Sequence, residues 1–118
     1  MTGQTSYHAG RVAEDIVARD YIDRHHTLAA TRWRGASGEI DLILRKGALV
    51  VFVEVKKSSS FARAASRLGR RQMDRLVGAA SEFIAQEPDG QLTDMRFDLA
   101  MVDGQGCVEI IENAFAES

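Results

Sequence analysis

Two carboxylates and one lysine interrupt two neighbouring apolar runs near the middle of the sequence. Asp41 lies in the first run, and Glu54 and Lys56 lie in the second, after a short turn. Two strand-like runs joined by a tight turn predict a β-hairpin. Because the second run is apolar on both faces except at Glu54 and Lys56, it is predicted to be a central, buried strand. Buried charges are costly unless they are paired or bind a metal, so these three side chains are the first candidates for chemistry.

The register of this hairpin decides whether the two carboxylates can meet. A two-residue turn at Lys46-Gly47 places Asp41 opposite Phe52 and diagonal to Glu54, about 7 Å away at the backbone and on the same face. A four-residue loop preserves this parity, whereas an odd-length loop without a bulge would turn Asp41 to the other face. Asp41 and Glu54 are therefore expected within reach of one shared divalent ion. The same alternation assigns three apolar residues to the opposite face of the first strand, Ile40, Leu42 and Leu44.

These residues belong to a longer ordered pattern. An Asp followed on the next strand by Glu-x-Lys resembles the PD-(D/E)xK nuclease superfamily, and the wider pattern is closer to the YraN family of small, nuclease-like bacterial proteins. The matching segments span nearly the whole chain: Gly10 with Glu14, Trp33-Arg34, Gly38–Ile43, Phe52–Lys56, Arg96–Asp98 and Asn113–Phe115. The sequence departs from the superfamily at the leading proline, since Ile40 precedes Asp41. It departs from the family at Gln72, in the helix where a lysine is expected.

The resemblance implies an α/β fold with a restriction-endonuclease-like α-β-β-β-α-β core, in which helices flank a mixed central sheet. Apolar residues repeat at helical spacing over residues 7–26 and 61–86 and predict two helices. The second helix is either continuous or interrupted near Gly69. Further strand-like runs cover residues 28–34, 95–102 and 107–111. The order is therefore one helix, three strands, one helix and two strands. Residues 1–118 are expected to form a single domain.

The resemblance also implies a metal site in the hairpin. Mg²⁺, or Mn²⁺ in its place, prefers oxygen ligands, and the carboxylates of Asp41 and Glu54 supply two of them. The carbonyl of Val55 is a candidate third ligand. Nucleases of this kind often add an acid from the first helix, which here is Glu14; without the resemblance, Glu14 is an ordinary exposed helix acid.

Two further residues are assigned to catalysis. Lys56, on the same face as Glu54, would orient or help deprotonate the attacking water and stabilise the transition state. Gln72 either reaches back to the site from the second helix or is a surface glutamine. Glu39, opposite Glu54 in the predicted register, would complete the metal shell or pair with Arg34.

The distribution of charge favours a nucleic-acid partner. The net charge of the chain is −2, yet residues 32–75 carry eleven Lys and Arg against four acids. A basic segment around an acidic pocket fits a phosphate-binding surface with a metal at its centre. The alternative is an Arg-rich helix face that is simply solvated. The candidate nucleic-acid contacts are Arg34, Lys57, Arg63, Arg67, Arg70 and Arg71.

The favoured function is a metal-dependent endonuclease that hydrolyses DNA or RNA, with branched DNA as a substrate by superfamily analogy. Two alternatives stay open: a nucleic-acid-binding module that has the fold without turnover, and an interaction protein whose hairpin acids form a salt-bridge network with Arg34 and Lys56. DNA is the expected nucleic acid. A homodimer would suit a branched substrate, although no dimer stripe is visible.

The rest of the composition points to a cytoplasmic protein without membrane contact. No apolar run approaches the roughly 20 residues that span a bilayer, and the N-terminus lacks a basic-then-apolar signal pattern. The single cysteine, Cys107, excludes an internal disulfide and is expected to be a small core residue. Asp98 is expected to be buried and structural, paired with Arg96 or a neighbouring strand.

Overall fold

The helices and strands follow one another in the predicted order. The computed structural model describes residues 2–57 and 69–114, and for residues 2–10 it describes the course of the backbone alone. Helix α1 (Thr2–Asp23) precedes three strands, β1 (Thr27–Arg34), β2 (Glu39–Lys46) and β3 (Leu49–Lys57). Helix α2 (Arg70–Ile84) and a 3₁₀ turn (Gly90–Leu92) lead to β4 (Met95–Val102) and β5 (Val108–Ile111). The predicted order of elements is confirmed.

The strands form one mixed sheet in the order β1-β2-β3-β4-β5. Strand β3 pairs parallel with β4, and the other neighbours pair antiparallel. The parallel pair requires a long crossover, which the segment containing α2 provides. Strand β3 is central, as predicted, and the α/β architecture is consistent with a restriction-endonuclease-like core.

The sheet is apolar on both faces because a helix covers each of them. One buried cluster lies between α1 and the sheet and includes Ala13, Val17, Tyr21, Leu42, Leu44, Val51, Val53 and Ala100. The other lies between α2 and the sheet and consists of Ile40, Ile43, Val50, Phe52, Leu76, Ala79, Ala80 and Ile84. Burial on both sides explains why β3 reads as an almost continuous apolar run.

The β2–β3 hairpin turns one residue later than predicted, at Gly47-Ala48 instead of Lys46-Gly47. Gly47 has a φ of 60°, in the left-handed region that glycine enters without steric cost. The predicted register is therefore wrong: Phe52 pairs with Ile43 and not with Asp41. Since each pairing partner moves by two residues, the parity of the hairpin is unchanged.

The face assigned to Ile40 is also wrong. Ile40 packs on the α2 side together with Ile43, whereas Leu42 and Leu44 share the α1 side. Regular alternation cannot place residues three apart on one face of a sheet. The alternation of side chains along β2 is therefore interrupted at Asp41. The pairing of β2 with β3 ends at the same place, with Leu42 opposite Val53.

Cys107 is exposed and lies just before β5, so the expectation that it is a core residue is wrong. The chain bends there around Asp103, whose Oδ1 accepts the backbone N–H groups of Gln105 and Cys107 at 2.9 Å each. This turn directs Cys107 to solvent before the strand begins.

The loop between β1 and β2 is held against α2 by Glu82. Its two carboxylate oxygens accept the backbone N–H groups of Ala36 and Ser37 at 2.8 and 3.0 Å. A β-carbon added at Gly78 would lie 2.7 Å from the Ser37 side chain, so glycine at this position allows the loop to approach the helix. The contact fixes the start of β2 relative to α2.

Asp98 is a buried structural carboxylate, as predicted. Its Oδ1 accepts hydrogen bonds from Arg96 Nε at 2.8 Å and from the Asn113 backbone N–H at 3.0 Å. Its Oδ2 accepts hydrogen bonds from the Tyr21 hydroxyl at 2.7 Å and from Arg96 Nη2 at 3.0 Å. These bonds tie α1, β4 and the turn after β5 together.

Replacing Asp98 with Asn should lower the free energy of unfolding by about 2 kcal/mol. The amide retains the shape of the side chain but loses its charge and one acceptor oxygen, so Arg96 and Tyr21 lose buried partners. Urea denaturation measures the change. Asp94→Asn is the control because Asp94 is exposed just before β4, and it should stay within about 0.5 kcal/mol of the wild type. Equal stability of the two variants would contradict the structural role of Asp98.

Candidate metal centre

Three polar side chains meet on the α2 side of the sheet. Glu54 is 8% exposed, and its Oε1 accepts a hydrogen bond from Gln72 Nε2 at 2.8 Å. Lys56 Nζ lies 3.3 Å from the same oxygen and donates a hydrogen bond to Gln72 Oε1 at 3.3 Å. Because each of the three contacts the other two, the ammonium group is held beside the carboxylate.

Local sequence spacing explains why Gln72 reaches β3. Helix α2 packs on the sheet through Leu76, and Gln72 lies one helical turn earlier on the same side. Glu54 and Lys56 follow the buried Phe52 at intervals of two, which places them on the face that α2 covers. Of the two interpretations of Gln72, the structure therefore favours the one in which it reaches back to the site.

Asp41 occupies the gap where β2 and β3 separate. Its Oδ2 accepts the backbone N–H of Val55 at 2.8 Å, in place of the carbonyl that a paired strand would present. The Asp41 side chain is also close enough to Glu54 for the two carboxylates to interact through their charges. Since the N–H and C=O of one strand residue point to the same neighbour, the Val55 carbonyl faces this gap too.

The two hairpin acids bind protons more tightly than ordinary carboxylates. Burial, and next the negative charge of Glu54, raise the pKa of Asp41 to about 7, against the opposing hydrogen bond from Val55. Burial also raises the pKa of Glu54, although Lys56 and Gln72 oppose this change. Acids in such a pair share a proton near neutral pH. A divalent cation in place of that proton would relieve the same repulsion.

A cavity of about 270 Å³ adjoins these carboxylates and is lined by Ala13, Glu14, Asp41, Glu54, Val55 and Lys57. Glu14 brings a further negative charge from α1, and this charge contributes to the raised pKa of Asp41. Three of the four predicted metal ligands thus present carboxylates to one cavity, with the fourth on its wall.

Arg32 holds Glu14 at the edge of this cavity and was not among the predicted site residues. Its Nε donates a hydrogen bond to Glu14 Oε2 at 2.9 Å, and the pair is partly buried. Arg32 has a φ of 50° within β1. Its position in the basic segment was the only sequence signal, because neither the left-handed backbone nor the contact with α1 can be read from residue types.

The donor set fits a hard divalent cation that binds few protein ligands. Mg²⁺ takes oxygen ligands and retains several waters, so the carboxylates of Asp41 and Glu54 with the Val55 carbonyl form a sufficient set. Glu14 can add a further donor through its other carboxylate oxygen, since Arg32 occupies only Oε2. Over residues 11–57 and 69–114, no group of three or more His, Cys, Asp or Glu side chains is arranged to hold a metal, so the site depends on the two hairpin acids.

Of the predicted nucleic-acid contacts, one lies on the wall of the cavity and two lie at the start of α2. Lys57 is exposed on its wall. Arg70 and Arg71 begin α2, next to Gln72, and both are exposed. Arg70 pairs with Asp74 at 3.5 Å, but an ion pair at so exposed a position is weak. These three cations are therefore accessible to the phosphates of a nucleic acid.

Of the remaining predicted contacts, only Arg34 belongs to the described part of the chain. Arg34 Nη2 donates a hydrogen bond to Glu39 Oε2 at 3.1 Å, so of the two roles left open for Glu39 the structure favours the pair with Arg34. Arg63 and Arg67 lie outside the described residues, and their assignment stays a prediction.

Comparison with known proteins finds similarity along most of the chain. Residues 13–102 match the model of a family described as "Uncharacterised protein family UPF0102". A UPF0102 protein of Cereibacter sphaeroides strain KD131 is 66% identical over 116 residues, which are 98% of this chain and 99% of the relative. A UPF0102 protein of Ruegeria pomeroyi is 62% identical over 96% of this chain and 92% of its own. One from Roseobacter denitrificans is 56% identical over 98% and 89%.

Proposed function

The chain belongs to the UPF0102 family, the YraN family, and we propose that it is a metal-dependent endonuclease that hydrolyses phosphodiester bonds in DNA or RNA. The observation that carries this proposal is the contact of Glu54 with both Lys56 and Gln72, beside the carboxylate of Asp41. Carboxylates with raised pKa values next to a positioned lysine, in a cavity, are typical of a catalytic site.

A divalent ion would be held by the carboxylates of Asp41 and Glu54 and the carbonyl of Val55. Mg²⁺ or Mn²⁺ bound there would lower the pKa of a water and offset the charge that gathers on the phosphate. The buried position of Glu54 limits competition from solvent for its oxygens.

Lys56 is the proposed catalytic residue of the chain. Its Nζ would orient the attacking water and donate to a phosphate oxygen as negative charge develops. The water oxygen bonds to phosphorus while the bond to the leaving oxygen breaks. The water loses its proton to solvent, and the leaving oxygen takes a proton from solvent. Gln72 is a positioning residue, since it holds Glu54 and Lys56 relative to each other.

Nucleic acid, DNA before RNA, is the proposed partner, with Lys57, Arg70 and Arg71 on the phosphates. We also propose a cytoplasmic location, and a homodimer for branched substrates. Within the described part of the chain, no helix has the length and apolar character to cross a membrane.

Incubation with single-stranded, duplex, flapped and four-way DNA and RNA, with Mg²⁺, Mn²⁺ or EDTA, tests the proposal. Metal-dependent cleavage of at least one substrate is expected from the wild type and not from Asp41→Asn. Glu109→Gln is the matched control, because Glu109 is an exposed acid on β5 outside the cavity; it should cleave like the wild type.

The second candidate function is a nucleic-acid-binding module without turnover. The ion pair between Glu14 and Arg32 favours this function, because Arg32 offsets the negative charge that Glu14 would otherwise add to the hairpin acids. The module would bind both metal and nucleic acid but cleave no member of the substrate panel.

Neutralising Arg70 and Arg71 together, as glutamines, should weaken nucleic-acid binding and flatten its salt dependence. If each contacts one phosphate, the slope of log K against log salt should become less steep by about 1.8, since each lost duplex contact removes about 0.9. Fluorescence anisotropy over a range of salt concentrations measures this slope. Lys46→Gln is the control because Lys46 is exposed at the hairpin turn, at the opposite end of β2 from Asp41. An unchanged slope in the Arg70 and Arg71 variant would show that the start of α2 faces away from the nucleic acid.

A further inference from the structure

A cleft continues from the metal cavity along α1. Its first part, about 450 Å³ in volume, shares Ala13 and Lys57 with the metal cavity. We call this first part the α1 cleft; it is lined by Val12, Ala13, Ile16, Lys57, Val102 and residues 103–106. A group bound in it would therefore lie next to a phosphate at the metal site.

The walls of the α1 cleft are apolar on one side and polar on the other. Val12, Ile16 and Val102 supply the apolar side chains, and the turn at residues 103–106 supplies the Gln105 amide and backbone groups. The turn is preformed, because Asp103 accepts the backbone N–H groups described above. A β-carbon at Gly106 would lie 3.7 Å from Ile16 Cδ1, so any larger side chain there would narrow the cleft.

The far end of the cleft is acidic. Past Val12 and Ile16 the α1 cleft adjoins a second space of about 460 Å³. The charged residues that line this second space are Asp15, Arg19, Asp20 and Asp23. Asp20 pairs with Arg24 at 3.1 Å, and the other two carboxylates outnumber Arg19, so the local charge is negative and disfavours phosphates. Continuation of a nucleic-acid strand past the α1 cleft is therefore disfavoured, whereas an uncharged group attached to a phosphate near Lys57 can enter the α1 cleft.

We propose that the α1 cleft binds one unpaired nucleobase next to the scissile phosphate, so that the substrates are nucleic acids with an unpaired nucleotide at the cleavage site. The inference rests on the proposed function and names its substrate class. A base has flat apolar faces and hydrogen-bonding edges, which match the two kinds of wall. Extruding a base from a duplex costs a few kcal/mol and least where the base is already unpaired, so bulges, flaps and single strands are favoured over continuous duplex.

Three matched oligonucleotides test the proposal by binding alone, in EDTA so that no cleavage intervenes. They are a full duplex, the same duplex with one bulged nucleotide, and that bulge with an abasic residue. The wild type should bind the bulge about five to ten times more tightly than the duplex. This is the low end for a bound base, because no aromatic side chain lines the cleft among the residues that the structure describes. The abasic bulge should bind like the duplex.

Val12→Trp should remove the preference for the bulge and leave duplex affinity unchanged. Val12 is 55% exposed on α1, so the larger side chain fills the cleft without entering the core. Ile22→Trp is the control, since Ile22 is 49% exposed on the same helix and lies outside the cleft; it should retain the preference. Thermal unfolding checks that both variants fold.

The proposal is overturned if the wild type binds bulge and duplex equally, if the abasic bulge binds like the intact one, or if folded Val12→Trp retains the preference. The abasic comparison requires no variant. Bulge preference without any cleavage would contradict the proposed function and support the base pocket. Cleavage without bulge preference would support the proposed function and overturn the base pocket.

Discussion

Lys56→Ala should cleave nucleic acid at about one-hundredth of the wild-type single-turnover rate or less. Its affinities for Mn²⁺ and for nucleic acid should stay near those of the wild type, since neither depends on the ammonium group. The loss appears in turnover and not in binding because Lys56 acts mainly in the transition state. The structure gives the physical reason, as Nζ is held by Glu54 and Gln72.

Lys56→Arg should not restore the full rate, since a planar guanidinium does not replace a compact donor and stays protonated. Lys46→Ala at the hairpin turn should match the wild type in rate and in both affinities. The measurement is single-turnover cleavage with matched binding titrations. A Lys56→Ala protein that cleaves at the wild-type rate would remove Lys56 from the mechanism.

Asp41→Asn should abolish calorimetric Mn²⁺ binding and, with it, cleavage. Two carboxylates together form the oxygen site, and the substitution would leave Glu54 as the single acid of the hairpin pair. Glu54→Gln should have the same effect. Glu109→Gln, with its exposed position on β5, should bind Mn²⁺ like the wild type. Equal Mn²⁺ binding by all of these proteins would exclude the shared site.

The same substitution at Asp41 should stabilise the metal-free protein at alkaline pH. Asp41 ionises near pH 4 in the unfolded chain and near pH 7 in the folded one. The folded state therefore loses stability as pH rises from about 4 to 7, and the penalty is fully present above 7. At about 1.4 kcal/mol per pH unit, it is at most about 4 kcal/mol.

Urea denaturation in EDTA at pH 5 and pH 8 measures this penalty. The wild type should be less stable at pH 8 than at pH 5, and Asp41→Asn should show a smaller difference. Added Mn²⁺ should stabilise the wild type at pH 8, because it binds only the folded state, and should not stabilise the variant. A wild type that is equally stable at both pH values would contradict the raised pKa of Asp41.

The order of elements followed from the sequence because burial imposes clear periodicities. Strand β3 is covered by α1 and α2, so most of its residues are apolar, and Glu54 and Lys56 were conspicuous among them. The meeting of Asp41 and Glu54 was predictable from parity alone. The error in the register left it unchanged, since a shift of two residues moves no side chain to the other face.

The details that failed depend on the backbone and not on residue type. Gly47 could occupy either turn position, and its left-handed φ decided the register. Ile40 reads as one more alternating residue, but β2 changes its facing at Asp41, where the strands separate. The pair of Arg32 with Glu14 brings together residues from β1 and α1, and local periodicity carries no information about such contacts.

The two hydrogen bonds that Glu82 accepts from the β1–β2 loop have a consequence for backbone dynamics. The amides of Ala36 and Ser37 lie at the surface, where an unbonded loop amide exchanges its hydrogen for deuterium quickly. Both are bonded to one carboxylate whose pKa is lowered by these very bonds, so it remains an acceptor in mildly acidic exchange buffers. Their exchange should be slower than that of the open hairpin turn at Gly47 and Ala48. Faster exchange of these two amides would then indicate that the loop has opened. It would also indicate that the hairpin carrying Asp41 has separated from helix α2, which carries Gln72.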